Sequence, residues 1–239
     1  MENLTNREFI DFIKSYNEYY KDITEISKNK YGEILIENNF KMYSLDEMCW
    51  DCELLQERTP KTTDALYYKE NSDGSLSLYL IEFKFHNFND PSAQDMLNSI
   101  SKDVNDERNK TKYKCLSHKY KKYLRKINNY YGDDVEFGLV LKPIESINVV
   151  IPALYEQYCI DNSYPQKDIR KYLQNIEKKM IVFVSHYDDN FDNTKQRLQS
   201  MDIGLEENYA RLEQGKIIDY HKIYARYQFN YFLLTERIS

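Results

Sequence analysis

Two charged residues interrupt a hydrophobic run that extends from Leu78 to Phe85. Glu82 and Lys84 lie two positions apart in this run, and every other residue in it is aliphatic or aromatic. Apolar runs of this length form strands in the core of a sheet, where an unpaired charge costs several kcal/mol. The run therefore predicts a strand whose two charges pair with other groups or bind a ligand.

The residues before this strand predict a β-hairpin. Asp73-Gly74 is a turn signal between two strand-like runs. If these two residues alone formed the turn, Asp64 would lie on the opposite face of the sheet from Glu82. A three-residue loop with Gly74 in the left-handed conformation instead sets Asp64 opposite Glu82, and Lys84 follows on the same face. We predict the three-residue loop, because it brings the three charged side chains together.

Two carboxylates and an ammonium group on one face of a sheet have the composition of a divalent-metal site. Carboxylate oxygens are the ligands that Mg²⁺ prefers, and a bound ion polarises a phosphate and lowers the pKa of a bound water. Asp64, a hairpin, and then Glu82-x-Lys84 on a hydrophobic strand resemble the PD-(D/E)XK nuclease superfamily. The resemblance covers about residues 44–143.

This resemblance implies a fold, a cofactor and roles for particular residues. The fold is a restriction-endonuclease-like α/β fold, in which helices flank a mixed sheet. The cofactor is Mg²⁺ or Mn²⁺, with Asp64, Glu82 and the carbonyl group of Phe83 as metal ligands and Lys84 as the catalytic lysine. Thr63 departs from the pattern, because it occupies the place of the proline that gives the superfamily its name. The alternative is an edge hairpin that carries an ordinary Glu–Lys ion pair.

The superfamily usually adds an acidic residue from a helix ahead of the hairpin. Ser44-x-x-Glu47 has the spacing of a capping box, and apolar residues then recur at helical intervals until a Thr-Pro pair ends the pattern. The pattern predicts a helix of about three turns. Glu53 and Glu57 lie on its neighbouring stripe, and we favour Glu53 as a further catalytic carboxylate. A solvated acidic face is the alternative for either residue.

The rest of the chain is predicted to form further helices and strands of one domain. The 239 residues contain no linker and no repeat, so we expect a single nuclease-like domain with its core at about residues 44–186 and a C-terminal extension over 190–239. Apolar periodicity predicts helices over residues 6–28, 91–128, 152–160, 167–178 and 194–213. It predicts strands over residues 136–141 and 180–185. Alternation of apolar and polar residues predicts a late strand over residues 223–233, with a helix as the alternative.

The charge distribution favours nucleic acid as the partner. The net charge is -6, yet residues 108–126 contain nine basic residues and no acidic one. A basic helical segment close to the candidate site is suited to a phosphate backbone. The expected contacts are Lys112, Lys114, Lys119, Lys121, Lys122 and Arg125. The alternative is a solvated helix face beside acidic neighbours.

The N-terminus and the cysteines indicate a cytoplasmic protein. The N-terminus lacks the basic-then-apolar layout of a signal peptide, and no apolar run has the length of a membrane span. The four cysteines are then expected to be reduced thiols. Cys49-x-x-Cys52 has the spacing of a zinc or redox motif, but both positions fit the apolar stripe of their helix, which favours core packing.

Together these features predict a Mg²⁺-dependent nuclease that hydrolyses phosphodiester bonds, with DNA as the expected substrate. The alternative is a catalytically inactive nucleic-acid-binding or assembly protein on the same fold. The aromatic stretch that begins at Ile223 offers a surface for a homodimer contact.

Overall fold

A six-stranded mixed sheet lies at the centre of the structure, and its strand order follows the chain. The strands are β1 (Tyr20–Asp22), β2 (Lys41–Ser44), β3 (Ala65–Glu70), β4 (Leu76–Lys84), β5 (Glu177–Val184) and β6 (Tyr220–Ala225). Each of the first four strands runs antiparallel to its neighbour, whereas β5 runs parallel to β4 and β6 runs parallel to β5.

The computed structural model describes residues 3–29, 32–58, 60–84, 139–184 and 207–238. All of them belong to one unit, which comprises Met1–Phe85 and Leu139–Ser239. A second unit, His86–Gly138, lies outside the described residues. The helix predicted over residues 91–128 and the basic segment 108–126 fall in that second unit. The single-domain organisation stays a prediction.

The hairpin between β3 and β4 has the predicted three-residue loop. Ala65 pairs with Ile81, and the same register continues to the end of the ladder. The Asn71 N–H donates to the Ser75 carbonyl at 2.9 Å, which closes the loop. Gly74 has a φ of +79°, the left-handed conformation that a loop of this type requires. The register therefore sets position 64 opposite position 82, as predicted.

The two faces of the sheet bury two separate groups of hydrophobic side chains. The face that carries the even positions of β4 packs against the N-terminal helix and the helices after residue 139, and its strand residues include Leu66, Leu78, Leu80, Met180 and Val182. The opposite face packs against the C-terminal helix, and its strand residues include Ala65, Tyr79, Ile81, Ile181 and Phe183. Because side chains alternate along a strand, Glu82 and Lys84 point to the first face.

Helices cover both faces of the sheet, which makes this an α/β architecture consistent with a restriction-endonuclease-like fold. The helices are Asn6–Ser15, Ile23–Ile26, Leu45–Asp51, Ile151–Asp161, Ile169–Asn175 and Phe229–Thr235. Residues 139–145 and 207–214 are also helical, and a π-helical turn, Ser146–Val150, joins the first of these to the next helix. Among the described residues, no helix combines the length and the apolar character that crossing a bilayer requires.

The N-terminal helix is shorter than predicted. It ends at Ser15, and Tyr20–Asp22 forms an edge strand on β2 instead of continuing the helix. The aromatic residues that extend the apolar stripe here serve other contacts, since the Tyr16 hydroxyl donates to the Leu154 carbonyl at 2.9 Å. Pairing with β2 gives the backbone of β1 the hydrogen bonds that a longer helix would have made within itself.

Residues 139–141, predicted as the end of a strand, are helical. A short apolar run has no periodicity that separates a buried strand from a buried helix. Leu139 is buried in the core, which is expected for both kinds of element. The predicted late strand over 223–233 is also too long. It ends at Ala225, whose N–H donates to Gln228 Oε1 at 2.8 Å, and a helix follows that buries Phe229 and Phe232.

The helix ahead of the hairpin begins where predicted but is shorter, and the predicted capping box is wrong. Ser44 is the N-cap residue but makes no side-chain capping hydrogen bond, and Glu47 pairs with Lys21 of β1. The helix ends at Asp51, and a 3₁₀ turn, Glu53–Leu55, follows.

Replacing Gly74 with Ala should destabilise the protein by about 1 kcal/mol, because an L-residue with a Cβ is disfavoured in the left-handed conformation. Urea unfolding of both proteins measures the difference. Gly74→Asn is the matched control, since Asn tolerates this conformation and should lose less stability. Equal stability of wild type and Gly74→Ala would show that the loop does not need the left-handed residue.

Candidate active site

Glu82 is a fully buried carboxylate between two lysines. Its side chain is 0% exposed and lies on β4 among hydrophobic residues. Lys84 Nζ lies 2.8 Å from Glu82 Oε1. Lys142 Nζ donates to both carboxylate oxygens of Glu82 at 2.8 Å. Removing a carboxylate from water costs several kcal/mol, which these two ammonium groups offset.

Asp64 lies immediately before β3 and faces the same group of charges. Its Oδ2 accepts a hydrogen bond from the Phe83 N–H at 2.6 Å, and its Oδ1 lies 3.4 Å from Lys142 Nζ. Lys142 therefore contacts the carboxylates of both Asp64 and Glu82. The ring of Phe83 points to the other face, where it stacks on Phe183.

A third carboxylate, Asp46, comes from the helix ahead of the hairpin. The Leu45 N–H, in the first turn of that helix, donates to the Asp64 carbonyl at 3.1 Å. This bond satisfies one of the free N–H groups at the helix start and holds Asp46 beside Asp64. Burial, the charge of Asp64 and the charge of Glu82 together raise the pKa of Asp46 from its ordinary 3.8 to about 7, against the opposing effect of Lys142.

Lys142 was not identified from the sequence, although it makes the central contact of the site. Its helix is fastened to the segment before β3, where the Thr63 N–H donates to Ser146 Oγ at 3.1 Å and the Lys61 N–H donates to Glu145. No motif marks a lysine in an apolar run as an ion-pair residue. A sequence feature that could have indicated Lys142 is the run Leu139-Val140-Leu141-Lys142, because a charge follows apolar residues there as it does in β4.

Thr63 occupies the place of the proline in the superfamily pattern, and its N–H makes a hydrogen bond to Ser146 that a proline could not make. Thr63 and Ser146 are both buried, and their hydroxyl oxygens lie 3.5 Å apart. A proline at position 63 would have no N–H to donate. In this chain Thr63, the residue before Asp64, therefore holds the helix that carries Lys142 against the segment before β3.

Burial and neighbouring charges shift the pKa values of Asp64 and Lys142. Burial raises the pKa of Asp64 and the charge of Glu82 adds to the effect, so that the pKa lies above its ordinary value although both lysines and the Phe83 N–H oppose the shift. Burial alone would lower the pKa of Lys142, but the carboxylates of Glu82, Asp64 and Asp46 outweigh it and raise the pKa. Lys142 is therefore a permanent cation at neutral pH.

The structure brings some of the predicted site residues together and leaves others elsewhere. Asp64, Glu82 and Lys84 converge, with Phe83 between the last two. The predicted third carboxylate, Glu53, is exposed in the 3₁₀ turn after the helix, whereas Asp46 of the same helix interacts electrostatically with Asp64 and Glu82. The predicted nucleic-acid contacts, Lys112, Lys114, Lys119, Lys121, Lys122 and Arg125, lie outside the described residues. Cys49 and Cys52 are buried core thiols, as predicted.

The donor set has the chemistry of a site for a hard divalent cation. It consists of carboxylate oxygens from three segments of the chain, and a cationic nitrogen lies where two of the carboxylates converge. The ammonium group of Lys142 occupies that point. Within the described ranges, no group of three or more His, Cys, Asp or Glu side chains is arranged to hold a metal ion.

Comparison with known protein families adds one finding. The model of the family described as HamA matches residues 50–214, which is more than half of the chain. The chain belongs to the HamA family. The matched range includes Asp64, Glu82, Lys84 and Lys142, whereas Asp46 precedes it. No curated protein and no solved structure matches this HamA-family chain.

Asp46→Asn should stabilise the folded protein at neutral pH by about 1–2 kcal/mol relative to wild type. The raised pKa of Asp46 means that the folded state favours the protonated acid, so its contribution to stability is present below pH 3.8 and is lost as pH rises to about 7. Urea unfolding at several pH values should show the advantage of Asp46→Asn shrinking as pH falls from 7 toward 4. Glu53→Gln, at an exposed position, is the control and should show no such trend.

Proposed function

We propose that this HamA-family protein is a metal-dependent nuclease that hydrolyses phosphodiester bonds, with DNA as its substrate. One observation carries the proposal. Asp64, Glu82 and Lys84 meet on one face of the sheet, in the hairpin register that the resemblance to the PD-(D/E)XK superfamily requires. Membership in that superfamily is part of the proposal.

The ion would be Mg²⁺ or Mn²⁺, held by the carboxylates of Asp64 and Glu82, with Asp46 as a third carboxylate. The Phe83 carbonyl is a further donor, because it leaves its strand on the same side as the N–H that contacts Asp64. When bound, the ion would polarise the phosphate and lower the pKa of a water molecule. The oxygen-only donor set favours these ions over softer metals.

Lys84 is the proposed catalytic lysine. Its side chain is 31% exposed, so its ammonium group is accessible to solvent while it remains 2.8 Å from the buried Glu82 carboxylate. From this position it would orient the attacking water and offset the negative charge that develops on the phosphate. Glu82 anchors the ammonium group and limits the orientations it adopts.

The nucleic-acid partner is supported by the basic segment of the sequence. Residues 108–126 carry nine basic residues and no acidic one. A segment with this charge would bind a phosphate backbone without reading the base sequence, and its affinity would fall steeply with salt.

The proposal predicts that purified protein cleaves plasmid or linear DNA in the presence of Mg²⁺ or Mn²⁺. Asp64→Ala and Lys84→Ala should lower the cleavage rate by at least about 100-fold, because each removes a group that acts on the reacting phosphate. The measurement is the rate of loss of the intact plasmid on a gel, with EDTA as the metal-free control.

A matched pair of carboxylate variants identifies the third acidic residue. Asp46→Asn should lower the cleavage rate, whereas Glu53→Gln, on the following exposed turn, should cleave like wild type. Cleavage by Asp64→Ala and Lys84→Ala at the wild-type rate would contradict the proposed function.

A second candidate function is nucleic-acid binding without catalysis. One observation favours it, because the ammonium groups of Lys142 and Lys84 together already balance the carboxylates of Asp64 and Glu82. A site whose carboxylates are already paired with ammonium groups needs no metal ion. This candidate predicts salt-sensitive DNA binding that Asp64→Ala does not impair.

Trp50 offers a direct measurement of nucleic-acid binding near the site. It is the single tryptophan of the chain, it is 73% exposed, and it lies one helical turn after Asp46. Single-stranded DNA added in EDTA should quench its fluorescence, because bases stack on exposed aromatic rings. Quenching with no cleavage after Mg²⁺ is added favours the second candidate. Binding detected by fluorescence anisotropy of labelled DNA, without quenching, would show that the nucleic acid lies elsewhere.

A further inference from the structure

Lys142 occupies the point where the two principal carboxylates of the site converge. Its Nζ lies 2.8 Å from both oxygens of Glu82 and 3.4 Å from Asp64 Oδ1. These are the oxygens proposed above as ligands of a divalent cation. An ammonium group and a metal ion that use the same oxygens compete for them.

The position of Lys142 is fixed by its helix. Ser146 and Glu145 fasten this helix to the segment before β3. At the other end, the Tyr209 hydroxyl donates to the Leu139 carbonyl at 3.3 Å, and Tyr209 is itself fully buried. The side chain of Lys142 is 15% exposed, so it is largely enclosed while it retains a route to solvent.

The charges of the site favour replacement of the ammonium group over addition of a metal beside it. Asp46, Asp64 and Glu82 carry three negative charges when ionised, and Lys84 and Lys142 carry two positive charges. A divalent cation added to this set leaves an excess positive charge in a buried site. The metal-free set carries one net negative charge, and a divalent cation that displaces Lys142 brings the net charge to zero, which is favourable because an uncompensated charge in an enclosed site is costly.

We propose that Lys142 is a displaceable internal cation that holds the carboxylates of Asp64 and Glu82 together when no metal is bound, and that a divalent ion binds by displacing it. This inference rests on the proposed function, because it concerns the same metal site. Lys142 is then a positioning residue that lowers the metal affinity of the site.

Titration calorimetry with Mn²⁺ alone tests the proposal on the full chain. Lys142→Met removes the competing charge and retains most of the side-chain volume, so it should bind Mn²⁺ at least tenfold more tightly than wild type. Lys179→Met is the matched control, because Lys179 is equally enclosed, at 16% exposed, and pairs with Glu236 away from this site. It should bind Mn²⁺ like wild type.

Thermal unfolding supplies a second measurement. In EDTA, both Lys142→Met and Lys179→Met should unfold at a lower temperature than wild type, because each removes an ammonium group that pairs with an enclosed carboxylate. Mn²⁺ should restore the unfolding temperature of Lys142→Met and leave that of Lys179→Met unchanged. Lys142→Arg keeps the charge and should bind Mn²⁺ no more tightly than wild type. A Lys142→Met protein that does not fold even with Mn²⁺ would overturn the proposal.

The two proposals fail in different ways. If wild type and Lys142→Met bind Mn²⁺ equally and wild type cleaves DNA, the displacement is wrong and the nuclease function stands. If neither protein binds Mn²⁺ and wild type does not cleave, both proposals are wrong. Tight binding by Lys142→Met with weak binding by wild type supports the displacement whether or not DNA is cleaved under the conditions used.

Discussion

The burial of the Glu82 carboxylate is the interaction on which the site depends. A strand in the centre of a sheet ordinarily excludes a charge, and this one accepts it because two ammonium groups lie within 2.8 Å. One comes from the same strand and the other from a helix that follows in the chain. The need to neutralise Glu82 therefore ties that helix to the sheet and fixes the site around one point.

Backbone hydrogen bonds hold the remaining parts of the site in place. The carbonyl of Asp64 accepts the Leu45 N–H, and the N–H of Thr63 reaches Ser146. The two residues at the entrance to β3 thereby contact the helix before the hairpin and the helix after residue 139. Side chains that are far apart in sequence meet because these main-chain contacts place their helices against the same strand end.

The sequence was sufficient to predict the parts of the site that follow from strand periodicity. Once the loop length was fixed, alternation along two paired strands determined that Asp64, Glu82 and Lys84 share a face. The same reasoning could not find Asp46 or Lys142. Their positions depend on how two helices pack against the sheet, and local periodicity carries no information about that packing.

The secondary-structure predictions that were wrong have the same cause as the site residues that were not predicted. Residues 139–141 form a short apolar run, and such a run fits a buried strand or a buried helix equally well. The chain after Ala225 alternates apolar and polar residues as a strand does, yet it forms a helix that buries Phe229 and Phe232. Tertiary contacts decide between the two. In the first case the helix that forms instead is what directs Lys142 toward the carboxylates.

The hydrogen bond between Thr63 and Ser146 has a consequence for the evolution of this fold. Ser146 is fully buried, and a proline at position 63 would leave its hydroxyl without the backbone donor that it now contacts. A proline at position 63 is therefore unfavourable unless position 146 changes too. Proline at position 63 and serine at position 146, which lie 83 residues apart in the chain, should not occur together among descendants of this protein.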